Sequence, residues 1–411
     1  MLFVNFFGLS AGTETDYGIA CPSEYITVSM TRVLFSLPSP LGVADGVRGV
    51  DHAVGELRRG GYVVLFPERE EKDSCVVLAA EAVTPQSLDV LTRLASGRPP
   101  VLVLTLRRAV ASGVIDAAAV NRGPASVVQM AAGLDAGRML ALAQPGSERS
   151  VEEARGATLA SAQGVFGAAV RLAKLARLLP AAVVGAVSGE GSADPVMMGR
   201  VRVSVADVLG YDMRIVRALR SVSEARVPLE GAEEARLIAF RPGDGGIEHL
   251  AIIVGAPKAE TPVLVRLHSE CFTGDLLGSL RCDCGNQLRG AIAAMAEAGA
   301  GVLLYLAQEG RGIGLVNKLR AYQLQDGGFD TMDANGQLGF DDDERVYLPA
   351  VEMLRQLGFL RVRLMTNNPR KVEALARHGI TVVERIPHAF PANRHNLPYL
   401  RTKAAKGGHL F

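Results

Sequence analysis

The sequence has few cysteines, almost no net charge and no long apolar run, and each of these absences excludes a class of protein. Five cysteines among 411 residues are an odd number and do not form a disulfide framework, so we expect a reducing, cytoplasmic location. The formal net charge of +1 predicts neither nucleic acid nor an anionic membrane as a partner. No run reaches the roughly 18 apolar residues of a membrane span.

The first residues also lack the basic stretch that opens a secretory signal peptide, although residues 1–8 are largely apolar. A signal peptide is therefore not expected, and residues 1–45 are interpreted either as an N-terminal extension with little structure of its own or as an over-long start.

Apolar patterning after this extension predicts an α/β (α+β) protein with two domains, each built on a mixed sheet. Apolar runs of strand length alternate with amphipathic segments of helical spacing, which is typical of this class. Charged residues become frequent near residue 224, so we place the boundary between 210 and 225. The predicted domains are residues 46–215 and 222–411.

Local signals predict several elements. Residues 50–59 have the spacing of an amphipathic helix, and a buried strand follows over residues 62–66. Residues 135–153 include a Pro-Gly pair and are expected to be rich in loops. A later helix is predicted from about residue 345 to residue 357, and Gly358 ends it.

A cluster of three cysteines is the main chemical signal. Cys271, Cys282 and Cys284 have the spacing C-x10-C-x-C, whereas Cys21 and Cys75 stand alone. Structural zinc usually takes four protein ligands, while catalytic zinc takes three and keeps a position for water. The count therefore predicts a hydrolytic zinc centre, and the alternative is three buried or redox-paired cysteines.

A glycine-rich turn over residues 309–318 follows a predicted strand and opens a predicted helix. Backbone N–H groups and the helix dipole receive phosphate at such turns, and Arg311 and Lys318 could add positive charge. The alternative is a plain strand-to-helix turn, because a single glycine-rich turn is a weak signal.

A second turn has basic residues in an unusual place. Asn368 and Pro369 predict a helix N-terminus. Arg370 and Lys371 then lie in the first turn, where the dipole disfavours cations and a bound anion would compensate. The alternative is a solvated basic turn.

An acidic cluster and two residues before the first cysteine are further candidates. Residues 341–344 are all acidic and precede a predicted helix, so a capping role is the plain alternative to a reactive one. A reactive role requires that one carboxylate and Arg345 face a substrate. His268 and Glu270 immediately precede Cys271 and could support the metal or contact substrate.

Together these motifs resemble GTP cyclohydrolase II, the family that opens the imidazole ring of GTP at the first committed step of riboflavin biosynthesis. The resemblance covers roughly residues 222–411 and is specific, because five motifs occur in family order. They are Arg-x-His-Ser-Glu-Cys-x-Thr-Gly-Asp from 266, Ser-Leu-Arg-Cys-Asp-Cys-Gly from 279, Gln-Glu-Gly-Arg-Gly-Ile-Gly-Leu from 308, Lys-x-Arg-Ala-Tyr-x-Leu-Gln-Asp from 318 and Thr-Asn-Asn-Pro-x-Lys from 366.

The resemblance implies a role for each matching residue. The cysteine cluster holds one Zn²⁺ per chain. Asp343 is the proton acceptor, Arg345 is the nucleophile toward the α-phosphate, and Tyr322 helps to position water or to release formate. The residues implied to bind GTP are Arg266, Leu267, His268, Ser269, Glu270, Gln287, Glu309, Gly310, Arg311, Thr331, Thr366 and Lys371.

The implied reaction is zinc-dependent hydrolysis of GTP to 2,5-diamino-6-(5-phosphoribosylamino)pyrimidin-4(3H)-one, formate and pyrophosphate. Water must attack C8 twice, and zinc-bound water supplies such a nucleophile near neutral pH. Mg²⁺ on the GTP phosphates would neutralise charge during transfer. The resemblance also implies a homodimer. Ala307 and Val346 depart from the family pattern. These departures put in doubt the reaction rate or the affinity for the GTP phosphates more than the type of reaction.

The N-terminal domain resembles, in a degenerate form, the 3,4-dihydroxy-2-butanone 4-phosphate synthase that is often fused ahead of this enzyme. The match covers residues 50–84 and, more weakly, 165–212. The acidic stretch that binds metal and substrate in that family is altered at residues 67–75, and no histidine lies between His52 and His249. We expect the synthase activity to be lost, and a role in supporting the dimer or the other domain to remain.

Two other functions remain open. A zinc-stabilised module that binds RNA or nucleotide would need a fourth ligand and a basic face, and the sequence shows neither. A close relative could open GTP yet keep the formyl group, although Tyr322 argues against it.

Overall fold

A computed structural model of the chain describes residues 44–67, 74–116, 126–146, 156–187, 199–405 and 408, and all structural statements concern these residues. Residues 1–43 of the predicted extension and residues 68–73 of the altered acidic stretch lie outside them, whereas residues 44 and 45 are helical. Residues Gly42–Phe411 belong to one compact unit. Of the helices described, none combines the length and the apolar character needed to cross a membrane.

A mixed sheet organises the N-terminal half, which we define as the described residues from 44 to 217. Its strands are β1 (Val63–Phe66), β2 (Cys75–Ala79), β3 (Val101–Thr105), β4 (Ser126–Gln129), β5 (Thr158–Ser161), β6 (Ala181–Ala186) and β7 (Val201–Ser204). Their spatial order is β5-β4-β3-β6-β2-β1-β7, and β1 and β7 are parallel while the other neighbours are antiparallel. The helices are α1 (Ala44–Arg58), α2 (Pro85–Leu94), α3 (Leu106–Ala111), α4 (Ala136–Ala143), α5 (Val165–Leu175), α6 (Val205–Leu209) and α7 (Tyr211–Arg217).

Helices cover both faces of this sheet, which explains its nearly continuous apolar strands. Successive side chains of a strand point to opposite faces. Val63 and Leu65 accordingly belong to the core cluster that contains residues of α1 and α5, whereas Val64 belongs to the cluster with residues of α2 and α4. A strand that is buried on both faces cannot alternate apolar and polar residues.

Two local predictions differ from the structure in this half. The first helix begins at Ala44 rather than at residue 50. Part of the predicted loop over residues 135–153 is the helix α4, because the side chain of Asp135 caps it by accepting a hydrogen bond from Arg138 N at 2.8 Å.

A second mixed sheet organises the C-terminal half, residues 220–405. Its strands are β8 (Arg220–Arg226), β9 (Arg236–Arg241), β10 (His249–Gly255), β11 (Val263–Ser269), β12 (Ala300–Leu306), β13 (Arg361–Met365) and β14 (Thr381–Ile386). The helices are α8 (Cys284–Glu297), α9 (Leu315–Asp326), α10 (Thr331–Leu338), α11 (Leu348–Gln356), α12 (Pro369–Arg377) and α13 (Leu397–Ala405). The spatial order is β14-β13-β11-β12-β10-β9-β8. The predicted fold of two mixed sheets with helices is therefore confirmed.

Three neighbouring parallel strands determine where chemistry can occur. β11 pairs in parallel with both β12 and β13, so Ser269, Leu306 and Met365 end their strands at one edge of the sheet. In open α/β sheets, ligands bind beyond the carboxyl ends of the strands. The segments that leave this edge contain the cysteine cluster, the glycine-rich turn and the Asn-Asn-Pro turn.

The chain passes from one sheet to the other between α7 and β8, that is, between Arg217 and Arg220. This position lies inside the interval predicted for the boundary. The domain limits of residues 46–215 and 222–411 stay predictions, because the two halves pack into the same compact unit.

Candidate active site

A cavity at the carboxyl edge of β11, β12 and β13 brings together almost every side chain that the sequence singled out. Asp343 does not line the cavity, but it forms an ion pair with Arg345, which does line it. The predicted residues that line the cavity are Arg266, Leu267, His268, Ser269, Glu270, Cys271, Cys282, Cys284, Gln287, Glu309, Gly310, Arg311, Tyr322, Thr331, Arg345, Thr366 and Lys371.

The three predicted cysteine ligands form one cluster. Cys271 follows β11, while Cys282 and Cys284 lie where α8 begins, and their sulfur atoms all lie within 4.8 Å of one another. Between them, the helical turn Phe272–Leu276 passes very close to the sulfurs. A Cβ at Gly274 would lie 2.7 Å from the Sγ of Cys282, so only glycine fits there. This donor set suits one metal ion held by three thiolates.

Hydrogen bonds give the three thiols unequal acidities. The thiols of Cys282 and Cys284 lower the pKa of Cys271 far below its ordinary value, and the ammonium of Lys318 lowers it further. The bond to Cys271 raises the pKa of Cys282 to about 11, and the pKa of Cys284 is also raised. Before a metal binds, the cluster therefore consists of one thiolate and two thiols. The two thiols would release their protons when a cation binds.

Lys318 contacts this cluster, which the sequence did not predict. Its Nζ lies 3.1 Å from the Sγ of Cys271 and 2.8 Å from a carboxylate oxygen of Glu309. Burial would lower the pKa of Lys318, but the carboxylate and the thiolate outweigh burial and raise it. The sequence singled out Lys318 only as a possible charge for phosphate and as the start of the Lys-x-Arg-Ala-Tyr motif, in which Tyr322 lies four residues further on the same face of α9.

The glycine-rich turn has an unusual backbone that directs Glu309 inward. Gly310 and Arg311 have φ values of 64° and 60°, and the left-handed conformation of Arg311 costs about 1 kcal/mol. Glu309 is buried and accepts a hydrogen bond from Phe272 N at 2.6 Å, so it also supports the cysteine turn. Arg311 and Lys318 both line the cavity, but the ammonium of Lys318 is already engaged by Cys271 and Glu309. Phosphate binding at this turn stays a prediction.

His268 supports the cysteine turn through an aspartate. Its Nε2 lies 3.0 Å from Asp275, whose carboxylate also accepts hydrogen bonds from Cys271 N at 2.9 Å and from the hydroxyl of Tyr305 at 3.0 Å. Burial lowers the pKa of His268 despite this carboxylate. The ring therefore helps to hold the first ligand in position.

Two buried polar atoms in the cavity have no partner among the described residues. Arg266 donates through Nη1 to the carbonyl of Met365 at 2.9 Å and through Nη2 to Gln287, yet its Nε is unpartnered. The hydroxyl of Ser269 is unpartnered as well. Such atoms cost about 1–3 kcal/mol each, and a polar ligand in the cavity would remove this cost.

Asp343 and Arg345 form a two-pronged ion pair. The Nε and Nη2 of Arg345 each lie 2.7 Å from the carboxylate of Asp343. Burial alone would raise the pKa of Asp343, but Arg345 lowers it overall. The helix predicted from residue 345 begins instead at Leu348, with Pro349 in its first turn. The acidic residues therefore do not cap this helix, and Asp343 is engaged by an arginine.

Tyr322 faces the same cavity from α9. Its ring lies 5.9 Å from the Nζ of Lys318 and 4.9 Å from the guanidinium carbon of Arg281, so two cations flank it. Burial raises the pKa of Tyr322 to about 12, so the hydroxyl remains protonated at neutral pH.

The Asn-Asn-Pro turn forms the helix N-terminus that the sequence predicted. The side chain of Asn368 accepts a hydrogen bond from Arg370 N at 3.0 Å and caps α12. Lys371 is buried, and its Nζ donates to the carbonyl of Leu267 at 2.7 Å. Anion binding at this turn stays a prediction, and Thr366 and Lys371 both line the cavity.

Comparisons with known proteins point to one family. The sequence profile of GTP cyclohydrolase II matches residues 220–387. GTP cyclohydrolase-2 of Azospirillum brasilense is 54% identical over 377 residues, which cover 89% of this chain and 94% of that protein. GTP cyclohydrolase-2 of Pseudomonas aeruginosa (strain LESB58) is 59% identical over 178 residues, 43% of this chain and 87% of that protein.

Two further similarities include the N-terminal half. The riboflavin biosynthesis protein RibBA of Synechocystis is 43% identical over 279 residues, 65% of this chain and 50% of that protein. Residues 220–411 make up less than half of the chain, so this alignment extends into the N-terminal half. Among solved structures, a two-domain 3,4-dihydroxy-2-butanone 4-phosphate synthase, RibBX from A. baumannii, is 19% identical with a TM-score of 0.32, and covers 83% of this chain and 99% of that one.

Proposed function

The chain belongs to the GTP cyclohydrolase II family, and from this premise we propose that it hydrolyses GTP in riboflavin biosynthesis. The proposed products are 2,5-diamino-6-(5-phosphoribosylamino)pyrimidin-4(3H)-one, formate and pyrophosphate. The observation that carries the proposal is a single cavity lined by the three-cysteine cluster and by Arg345, which forms an ion pair with Asp343. Ring opening needs activated water, and cleavage after the α-phosphate needs a charged group directed at phosphorus.

Zinc is the metal we propose for the cysteine cluster. Cys271, Cys282 and Cys284 supply three soft ligands, and catalytic zinc sites keep three protein ligands and one open position. When bound, zinc lowers the pKa of a water ligand toward neutrality and so supplies a nucleophile for C8. Lys318 would hold Cys271 as a thiolate, since its ammonium lies against that sulfur.

The base end of GTP would lie beside the cysteine cluster. We propose that the unpartnered Ser269 hydroxyl and the Nε of Arg266 gain hydrogen bonds there, because both are buried in the cavity wall. Leu267, His268, Glu270 and Gln287 complete this side. Tyr322, which remains protonated, can donate a hydrogen bond to the attacking water or to the departing formate.

The phosphate end would lie toward Arg345. In the proposed step, a nitrogen of Arg345 forms a bond to the α-phosphorus, the bond to pyrophosphate breaks, and the guanidinium gives a proton to Asp343, whose oxygens are already 2.7 Å away. Water then hydrolyses the nitrogen–phosphorus bond, which restores Arg345 and leaves the 5′-phosphate of the product. Arg311, Thr331, Thr366 and Lys371 are proposed phosphate contacts. Their charge is modest for a triphosphate, so Mg²⁺ bound to the GTP phosphates is part of the proposal.

We also propose that two copies of the chain form a dimer beside this site. Leu276, Leu277 and Leu280 in the cysteine segment are 71%, 64% and 60% exposed. Clustered exposed apolar side chains are typical of an interface. Sedimentation velocity tests this, and a monomer at micromolar concentration would contradict it. A cytoplasmic location remains a prediction.

One assay tests the proposed reaction. The full chain is incubated with GTP, Zn²⁺ and Mg²⁺, and formate, pyrophosphate and the diaminopyrimidine are measured. All three products at equal amounts are expected. Ring opening without formate would indicate a relative that keeps the formyl group, and GTP binding without turnover would indicate a binding module.

A further inference from the structure

We propose that the N-terminal half is a positioning platform for the active site and that Lys174, at the end of α5, is its main positioning residue. This inference rests on the proposed function. The platform would hold the two segments that carry Tyr322 and the Asp343–Arg345 pair, namely α9 and the loop over residues 339–347.

The first contact holds α9. Asn317 is fully buried, and its side-chain nitrogen donates to the carbonyl of Arg177 at 3.0 Å. Three residues further along, Arg320 forms an ion pair with Glu81, and the same carboxylate accepts a hydrogen bond from Leu179 N at 3.1 Å. These two partners, Arg177 and Glu81, belong to the N-terminal half, which therefore holds α9 from one side, while Lys318 joins the same helix to Cys271 and Glu309.

The second contact holds the loop. The Nζ of Lys174 lies 2.6 Å from a carboxylate oxygen of Glu344, and both side chains are largely buried, at 15% and 13% exposure. The same oxygen accepts a hydrogen bond from Asp341 N at 2.9 Å. Glu344 lies between Asp343 and Arg345 in the sequence. Lys174 therefore anchors the residue that separates the two members of the catalytic pair.

The loop is also held where it begins. The hydroxyl of Thr105 donates to the carbonyl of Gly339 at 2.7 Å, and Arg108 donates to the carbonyl of Gln337 at 2.9 Å. Both donors are buried. A buried donor that loses its partner costs about 1–3 kcal/mol, so these bonds resist displacement of the loop.

An apolar cluster continues across the same junction. Leu179 of the N-terminal half is buried with residues of α9, α10 and the loop. The other members are Ile313, Ala321, Ala334, Leu338 and Phe340. Because α9 and the start of the loop share one core with Leu179, the two catalytic segments cannot move independently of the N-terminal half.

The backbone of Arg177 is strained at the junction between the two halves. Arg177 has a φ of 58°, a left-handed conformation that follows the end of α5 and favours glycine. An arginine there costs about 1 kcal/mol. Its side-chain carbons lie 3.0–3.4 Å from where a Cβ at Gly314 would stand, directly before α9. The strained residue thus lies against the start of the catalytic helix and also accepts the bond from Asn317.

The test compares Lys174→Met with Arg171→Met in the full chain. Arg171 lies one turn earlier on α5 and pairs with Asp212, within the N-terminal half, so it is a matched control. We expect kcat to fall about tenfold or more in Lys174→Met, because small misplacements of catalytic groups are costly. KM should change by less than about twofold, and Arg171→Met should keep the wild-type kcat. Lys174→Arg should restore most of the loss, since it keeps the cation.

Hydrogen exchange provides a readout that does not depend on the reaction. Peptides that cover residues 339–347 should exchange faster in Lys174→Met than in Arg171→Met. Glu81→Gln gives a second variant, with a smaller loss of kcat and faster exchange in α9. If the Lys174 and Arg171 variants match in kcat and in exchange, the platform is overturned. If the wild-type chain does not turn over GTP, the proposed function fails, whereas the exchange difference still decides the platform.

Discussion

At the residue scale, the site depends on charges that neutralise one another out of water. Lys318 lies between the thiolate of Cys271 and the carboxylate of Glu309, and Arg345, which lines the same cavity, forms an ion pair with Asp343. Removal of one member leaves a buried, uncompensated charge, which typically costs 3–5 kcal/mol. Single substitutions at these residues should therefore affect chemistry and metal binding more than substitutions on the surface.

The cysteine cluster leads to a first prediction. Cys282→Ser or Cys284→Ser should remove bound zinc and abolish ring opening, because three ligands leave no spare donor. Zinc per chain and formate release are the measurements. Cys75→Ser, a substitution of a buried cysteine in β2, should keep both. Full activity with less than about a tenth of a zinc per chain would contradict a metal that generates the nucleophile.

Arg345 leads to a second prediction. Arg345→Ala should lower kcat for pyrophosphate release by at least about a hundredfold while changing GTP affinity much less, because the residue acts on charge that develops in the transition state. Steady-state kinetics and GTP titration measure the two effects. Arg355→Ala, at an exposed arginine of α11, serves as the control. An increase in KM with unchanged kcat would show that Arg345 only binds substrate.

At the element scale, the ends of parallel strands determine which loops meet. β11, β12 and β13 are adjacent, so segments that are about 40 and 60 residues apart in the chain leave the sheet together. β10 lies on the other side of β12, and the Nδ1 of its first residue, His249, accepts a hydrogen bond from Ala307 N at 3.0 Å. This bond lies directly before the glycine-rich turn, so the neutral form of His249 supports the edge of the site.

His249 leads to a third prediction, on pH dependence. Burial lowers its pKa to about 4 despite the nearby Asp244. The unfolded chain therefore binds this proton more readily, and stability falls as pH drops below about 6.5. The loss between pH 7 and pH 5 should be about 2 kcal/mol from this residue. Urea unfolding of the wild type and of His249→Asn measures it, and equal losses in both proteins would contradict the assignment.

At the scale of the whole molecule, we propose that the C-terminal half supplies the chemistry and the N-terminal half supports it. The altered acidic stretch of the N-terminal half lies mostly outside the described residues, but its apolar core is complete around the sheet from β1 to β7. Proton abstraction from a sugar phosphate needs a base near a metal-held intermediate. After His52, the N-terminal half contains no histidine that could serve.

We therefore predict that the full chain has no dihydroxybutanone phosphate synthase activity. Incubation with ribulose 5-phosphate and Mg²⁺ should yield neither formate nor a four-carbon phosphate, while the same preparation should release formate from GTP. The GTP reaction is the control for folding and metal content. Turnover of ribulose 5-phosphate at ordinary enzyme rates would show that the altered stretch still functions.

The sequence by itself determined the family and many of the residues that line the cavity, because short motifs place reactive residues at fixed spacings along the chain. Cys271, Cys282 and Cys284 were predicted as ligands, and the structure places their sulfur atoms in one cluster. Asn368 was predicted to begin a helix, and it caps α12. Such signals are local, since each depends on neighbours within one turn or one strand end.

Only the tertiary structure decided how these residues are held. The contact of Lys318 with Cys271 joins residues 47 positions apart, and the bond of Lys174 to Glu344 joins residues 170 positions apart. The helix predicted to begin at residue 345 begins at Leu348. Asp343 and Arg345 lie in the loop before it, where they form an ion pair. The contact of Lys318 lies within the C-terminal half, and the bond of Lys174 joins the two halves. Both depend on how distant segments pack in three dimensions, and no periodicity or local propensity encodes such distances.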